Sequence, residues 1–370
     1  MTGDVTHPST ATPISAIRVG AYTIPTDEPE SDGTLEWDST TLVTVHIDAG
    51  SETGFGYTYS DASVATLIHS LLRPLLEGHD ANDIPGAHQL MVKSIRNLGG
   101  PGLTSNAIAA VDVALWDLKA RLLQLPLHAL LGRVRRRVPV YGSGGFTSYT
   151  DRRLETPVAG WAEEGFSMMK MKVGRDAEND PHRVEVARNA IGHSNQLFVD
   201  ANGAFHSSEA LGFAQQIAEF DVRWFEEPVS SDDLHGLRLV RERSPAGMAV
   251  AAGEYGYTPA YFQGMLAARS IDVLQADASR CRGITGFLLV SALCEAAGVP
   301  LSAHTAPTLH LAVGCASEPV IHLEWFHDHV RIESMLFEGM PSPVDGCLEP
   351  SDAPGLGIEF RQKDAERYAV

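Results

Sequence analysis

From Lys170-Met-Lys172 onward, an ionisable residue closes a short apolar run at roughly 20–30-residue intervals: Asp200, Glu226, Glu254, Asp277, His304 and Glu324. Gln-Leu-Phe-Val-Asp200 and Trp-Phe-Glu226 show the pattern. One strand, one helix and their turns consume about that much chain, so the train predicts a parallel (β/α) barrel. In such a barrel the C-terminal strand ends converge on one mouth, where charges scattered along the sequence become neighbours.

The rhythm starts near residue 138. Eight candidate strands follow, at 138–143, 167–173, 196–202, 222–228, 249–254, 273–277, 300–304 and 320–325, separated by helical stretches such as 180–192, 207–220 and 284–298. The strands are near-continuous apolar runs, as a parallel sheet covered on both faces requires. Upstream, 14–24 and 40–48 alternate like antiparallel strands, and 62–76, 86–98 and 105–131 carry helical spacing. Between the two strands, 25–38 is rich in Pro, Asp, Glu and Gly and predicts a mobile loop, with Trp37 as an apolar plug. The expected organisation is an N-terminal α+β capping domain over 1–135, flexible over 1–13, then a barrel over 136–336. A Pro-rich segment, 337–370, is expected to pack back on the cap.

A formal charge of −19 with no long basic run argues against a nucleic-acid partner. The four cysteines show neither CxxC spacing nor disulfide density, and Met1 to Pro13 lacks a signal-peptide pattern. No apolar run is long enough to span a bilayer. A cytoplasmic protein without membrane association is the expectation, and the pocket chemistry below calls for a small anionic substrate.

Asp200, Glu226 and Glu254 close three consecutive strands, which lie about 4.8 Å apart. Three carboxylates side by side suit one hard cation such as Mg²⁺. Alternation sends Glu227, the competitor of Glu226, to the opposite face. Lys170 and Lys172 share a face, where each ammonium depresses the other's pKa and readies a lysine base. Asp277 beside His304 fixes the imidazole tautomer and makes a second acid or base. With Lys172 and His304 on opposite sides of the barrel, a substrate on the metal has a protonatable group at each face. The alternative for single residues is structural: solvated lysines, or carboxylates capping the following helices. His322, His327 and His329 raise a zinc site, but Val140-Tyr-Gly-Ser-Gly lacks the His-x-His of metal-dependent amidohydrolase barrels.

These residues, with Glu324 in His-Leu-Glu-Trp and Ala109-Ala-Val-Asp-Val-Ala-Leu-Trp-Asp117 upstream, resemble the mandelate racemase subgroup of the enolase superfamily. The resemblance implies a (β/α)₇β TIM-like barrel with an N-terminal α+β cap, one essential Mg²⁺, and proton abstraction α to a carboxylate. It also implies a homo-oligomer, an octamer or smaller even assembly. By the same resemblance Glu324 is the acid that hydrogen-bonds the substrate carboxylate, and a donor there must be protonated, so its pKa is expected to be raised. Lys170 tunes Lys172 and contacts the carboxylate; Ser143 and Asn202 are expected as further substrate contacts. Arg282 stands where the family has glycine.

Three reactions share the enolate: β-elimination from an acid sugar, reprotonation by a racemase or epimerase, and cycloisomerisation. A polar wall, expected from Ser143, Thr147, Ser148, Tyr149, His206 and Thr305 with Asp32, Asp38, Tyr57 and Tyr59 from the cap, favours polyhydroxylated acids and dehydration. A catalytically silent sugar-acid binder is the remaining class. Filled catalytic positions argue against it.

Overall fold

The computed structural model describes residues 11–370. Three antiparallel strands open it: β1 (Ile14–Ser31), β2 (Glu36–Ala49) and β3 (Glu52–Tyr59). Thr12 and Pro13 are fastened to Asp80, and residues 1–10 of the expected flexible start lie outside the described residues. The alternation in 14–24 and 40–48 does form strands, but 25–38 is no mobile loop. After a bulge between Pro25 and Glu30, pairing resumes at Glu30–Trp37 and Ser31–Glu36, and the chain turns over Asp32–Leu35. Tertiary contacts outweigh the loop-like composition. The Thr147 amide donates to Ser31 O at 2.8 Å, the Thr147 hydroxyl donates to Asp32 O at 2.8 Å, and Trp37 meets Phe146 edge-on.

The helix expected over 105–131 ends at Leu122. Gln124 turns left-handed and Pro126 has no amide to donate, so a separate short helix, Leu127–Leu131, follows. The Leu103–Leu122 helix lies flush on β3. A Cβ at Gly54 or Gly56 would meet Ala114 O or Ala110 O at 2.2 Å, so only glycine allows this approach.

The eight expected barrel strands all form: β4 (Val138–Gly144), β5 (Met168–Lys172), β6 (Gln196–Asp200), β7 (Val222–Glu226), β8 (Ala249–Ala252), β9 (Val273–Ala276), β10 (Leu301–Ala303) and β11 (Val320–Phe326). They pair in sequence order, all parallel, and β11 closes on β4. Their apolar residues are buried on both faces, inward by the barrel and outward by helices, which is why no alternation shows in the sequence.

The tail touches both parts of the molecule. Short strands β12 (Phe337–Glu338) and β14 (Glu359–Phe360) pair together, and β13 (Cys347–Leu348) runs antiparallel along β4. Phe360 stacks on Phe55, the Val370 amide donates to Ala21 O, and Arg121 bridges Asp117 and Glu359. One apolar cluster therefore runs from Tyr22, Leu42 and Phe55 of the cap into the barrel, holding the two as neighbours. Among the described residues no helix is long and apolar enough to cross a membrane.

Candidate active site

Register assembles the floor of the site. Lys172 pairs with Asp200 and Asp200 with Glu226 across β5, β6 and β7, while Ser143 of β4 pairs with Lys170. Glu254 follows β8 by way of Gly253, whose φ of +133° no other residue adopts easily. Asp200, Glu226 and Glu254 each offer an oxygen within 4.8 Å of the others, and all three are buried. Buried Glu227 Oε1 and Glu254 Oε2 lack hydrogen-bond partners. Unmatched carboxylate oxygens in an all-oxygen set fit a hard divalent cation.

Glu227 corrects the alternation argument. Its φ of +37° breaks the strand period, and its carboxyl is buried near Glu254, Asp200 and Glu226, which together with burial push its pKa well up. It belongs to the mouth rather than the opposite face. Asn202 and Thr305 are also left-handed, at +47° and +50°, so backbone strain gathers just past the strands that carry the site.

The lysines differ from expectation as well. Lys170 Nζ lies 2.8 Å from both Glu226 oxygens and from Glu324 Oε1, and Lys172 Nζ lies 2.5 Å from Asp200 Oδ2 and 3.0 Å from Asn202 Oδ1. Burial pulls both pKa values down and the ammoniums do repel, but the carboxylates outweigh these effects and both lysines are raised. Glu324 is the other correction. Its Oε1 accepts from the Ser143 hydroxyl at 2.6 Å and from Lys170, and its Oε2 from the Thr305 amide at 2.9 Å. Burial opposes ionisation, yet the lysines and His304 win and hold it at about 2, so Glu324 is an ionised acceptor here, not the raised acid expected.

Asp277 and His304 meet: Nδ1 to Oδ2 is 2.9 Å, and Nε2 stands 3.2 Å from Glu254 Oε2, off the hydrogen-bond direction. Burial lowers the imidazole pKa, but Glu254 and the Asp277 bond raise it to about 9. Arg280 was missed from the sequence. Its guanidinium lies 3.6 Å from both Glu254 and Asp277 and lines the cavity; three residues after Asp277, its spacing was the available signal. Arg282 instead donates to Ser105 Oγ at the cap.

A cavity of about 340 Å³ lies between this floor and the hairpin, with Lys172, Asn202, Glu254, His304 and Glu324 in its lining. Its roof carries Asp32, Trp37, Thr40, Tyr59 and His329. Much of the expected polar wall is elsewhere. Thr147 and Ser148 stitch the hairpin to the barrel, buried Tyr57 donates to Glu333, and His206 caps a helix. The three histidines disperse: His322 bonds Ser302, His327 pairs with Asp27, and His329 stacks on Tyr59.

Comparison with known proteins agrees with this geometry. Residues 154–365 match the enolase C-terminal domain-like family model, and 25–132 match the mandelate racemase/muconate lactonizing enzyme N-terminal domain. The chain is 35% identical over 369 residues to a 3,6-anhydro-α-L-galactonate cycloisomerase of Streptomyces coelicolor, covering 96% of this chain and 99% of that one. It is 29% identical to the L-talarate/galactarate dehydratase of Salmonella typhimurium, covering 84% and 78%. Among solved structures, a mandelate racemase/muconate lactonizing enzyme-like protein from Rubrobacter xylanophilus superposes with a TM-score of 0.95 at 50% identity, covering 97% and 100%. A Streptomyces coelicolor A3(2) racemase with bound magnesium gives 0.91 at 33% identity, covering 96% and 100%.

Proposed function

The chain belongs to the mandelate racemase/muconate lactonizing enzyme family of the enolase superfamily, and from that premise we propose a magnesium-dependent acid-sugar dehydratase. The observation that carries the proposal is that two protonatable side chains, Lys172 and His304, line one cavity whose floor holds a carboxylate triad. Asp200, Glu226 and Glu254 would hold the ion. When bound, Mg²⁺ would supply charge neutralisation at the substrate carboxylate, and Asp200 and Glu226 would then serve the ion as well as the lysines.

The chain's own residues do the rest. Lys170 and Ser143, already converged on Glu324, orient the substrate carboxylate, and Asn202 contacts it beside Lys172. Lys172 takes the proton from C2, the C2–H electron pair becomes the C2=C3 bond, and the C3–O pair leaves with oxygen. His304, kept in one tautomer by Asp277, gives the departing oxygen its proton. The enol then tautomerises to a 2-keto-3-deoxy acid. For a substrate whose C2 hydrogen faces His304, the two groups exchange roles.

Cycloisomerisation is the second reading, favoured by the identity to the galactonate cycloisomerase. If the β-oxygen is tied into an ether ring, the same elimination opens that ring and loses no water. Mass spectrometry of aldonates, aldarates and anhydro-aldonates incubated with enzyme and Mg²⁺ in D₂O tests the proposal, with semicarbazide to trap 2-keto acids. Water loss with a trapped keto acid supports dehydration, and a trapped keto acid without water loss supports ring opening. Deuterium gain alone makes the protein a racemase or epimerase.

A further inference from the structure

The cavity is charged in opposite senses at its two ends. Lys172, Arg280 and His304 line the floor. Arg280, the guanidinium of the lining among the described residues, is shared between Glu254 and Asp277 and so stands on the metal side. At the roof, Asp32 lines the hairpin turn. Its Oδ1 accepts from the Thr34 amide and hydroxyl and the Leu35 amide, leaving Oδ2 as the acceptor it can offer the cavity. Thr40, also in the lining, donates to the fully buried carboxylate of Asp328. Glu30, equally buried behind Trp37, has one oxygen without a partner.

The remaining roof groups are neutral donors and ring faces. His329 Nδ1 accepts from the Ala306 amide, so its proton sits on Nε2, and its ring stacks on Tyr59 at 3.5 Å. Burial keeps that imidazole uncharged, with its pKa lowered to about 3. Hydroxyl groups of a sugar find both acceptors and donors on such a wall. A second carboxylate finds the carboxylate of Asp32, whereas the Asp328 carboxylate behind Thr40 is already paired with Arg331.

We propose that this cavity selects monocarboxylic acid sugars, with the single carboxylate at the triad and an uncharged hydroxylated tail against Asp32, Thr40 and His329, and that the Asp32 carboxylate excludes diacids. The inference rests on the acid-sugar reading above and narrows it to a substrate class. The cavity volume, about 340 Å³, is at the small end for ligand sites and suits one compact sugar acid.

The test compares matched pairs, D-gluconate with D-glucarate and D-galactonate with galactarate, on the Mg²⁺-loaded protein by calorimetric titration and by kcat/KM. Each aldonate is expected to be preferred by about 100-fold, the usual scale of a like-charge mismatch. Asp32→Asn keeps the acceptor that the turn needs and should narrow the preference about 10-fold by improving the aldarate. Ser39→Lys, which adds a cation to the same lining, should act in the same direction. An aldarate bound as tightly as its aldonate, a preference untouched by both variants, or no binding by any sugar acid overturns the proposal. Binding that discriminates as expected without α-proton exchange for any acid supports the charge preference and defeats the reaction instead.

Discussion

The floor and the roof of the cavity are built by different means. On the floor, parallel register places Lys172, Asp200 and Glu226 side by side, and apart from Glu227 the charges meet opposite ones: Lys170 with Glu226 and Glu324, Lys172 with Asp200, His304 with Asp277. On the roof, a bulged hairpin leans on the barrel through hydrogen bonds with Thr147 and Ser148 and through surface ion pairs of Asp27, Glu28 and Glu36 with His327, Arg153 and Arg175, and Glu30 is buried with an unpartnered oxygen. A paired floor on eight strands is suited to chemistry, whose geometry must not vary. A hairpin outside the closed barrel, tied to it largely by surface ion pairs, can vary in sequence without altering the strands, and that is where differences in substrate belong.

If the floor carries the chemistry, its substitutions must have the largest effects and must differ from each other. Lys172→Ala and His304→Asn are each expected to reduce kcat about 10²–10⁴-fold, the usual contribution of a positioned acid or base. Deuterium exchange at C2 separates them. Exchange should vanish in Lys172→Ala and persist in His304→Asn, where only expulsion of the β-oxygen fails. Full exchange in both variants would remove Lys172 from the mechanism.

The same division decides what is legible in the sequence. Asp200, Glu226, Glu254, Asp277 and His304 can be grouped from their spacing alone, because a barrel strand end has one destination, the mouth. Protonation is not legible, because it depends on what other elements bring. Glu324 reads as a neutral acid until Ser143, Lys170 and the Thr305 amide, from three other segments, converge on its carboxylate. Glu227 is misplaced by strand alternation, which holds only while φ stays extended, and its φ of +37° ends it. The hairpin reads as a loop because its pairing depends on a bulge and on barrel partners more than 100 residues away, such as Thr147 for Ser31. Arg280 and Arg282 show the limit most sharply. Two residues apart in one loop, one lines the cavity and the other reaches the cap.

An intermediate effect is expected where roof meets floor. Gly33, at the hairpin turn, sits so close to the ends of β5 and β6 that a Cβ would fall 2.4 Å from Ala201 O and 2.7 Å from Val173 O. Backbone cannot yield to that contact, so Gly33→Ala must lift the tip. KM should rise about 10-fold with kcat within about 2-fold, the pattern of lost uniform binding. Mg²⁺ affinity, a property of the floor, should stay as it was. A fall in kcat as large as that of Lys172→Ala would show that the hairpin shapes the chemistry itself and would erase the division.

The smallest expected effect tests the roof's unpartnered carboxyl, Glu30. Burial, helped by the nearby Asp328 carboxylate and opposed by the Trp37 hydrogen bond, raises Glu30 to about 8 from an ordinary 4.5. A carboxyl raised on folding contributes stability that is complete below its unfolded pKa and is lost as pH rises through the folded one. Between about pH 5 and 8 the Tm should therefore fall in the parent protein, and Glu30→Gln, which mimics the protonated acid, should remove that part of the slope. Asp112 and Glu333, each raised to about 7 by burial, tilt both proteins alike and cancel in the difference. The two Tm values should agree near pH 5 and diverge by about 2–4 °C in favour of the variant at pH 8. Thermal scans across that range decide it: a constant offset would mean that Glu30 keeps its charge throughout, balanced by the arginines and His327 around the hairpin base.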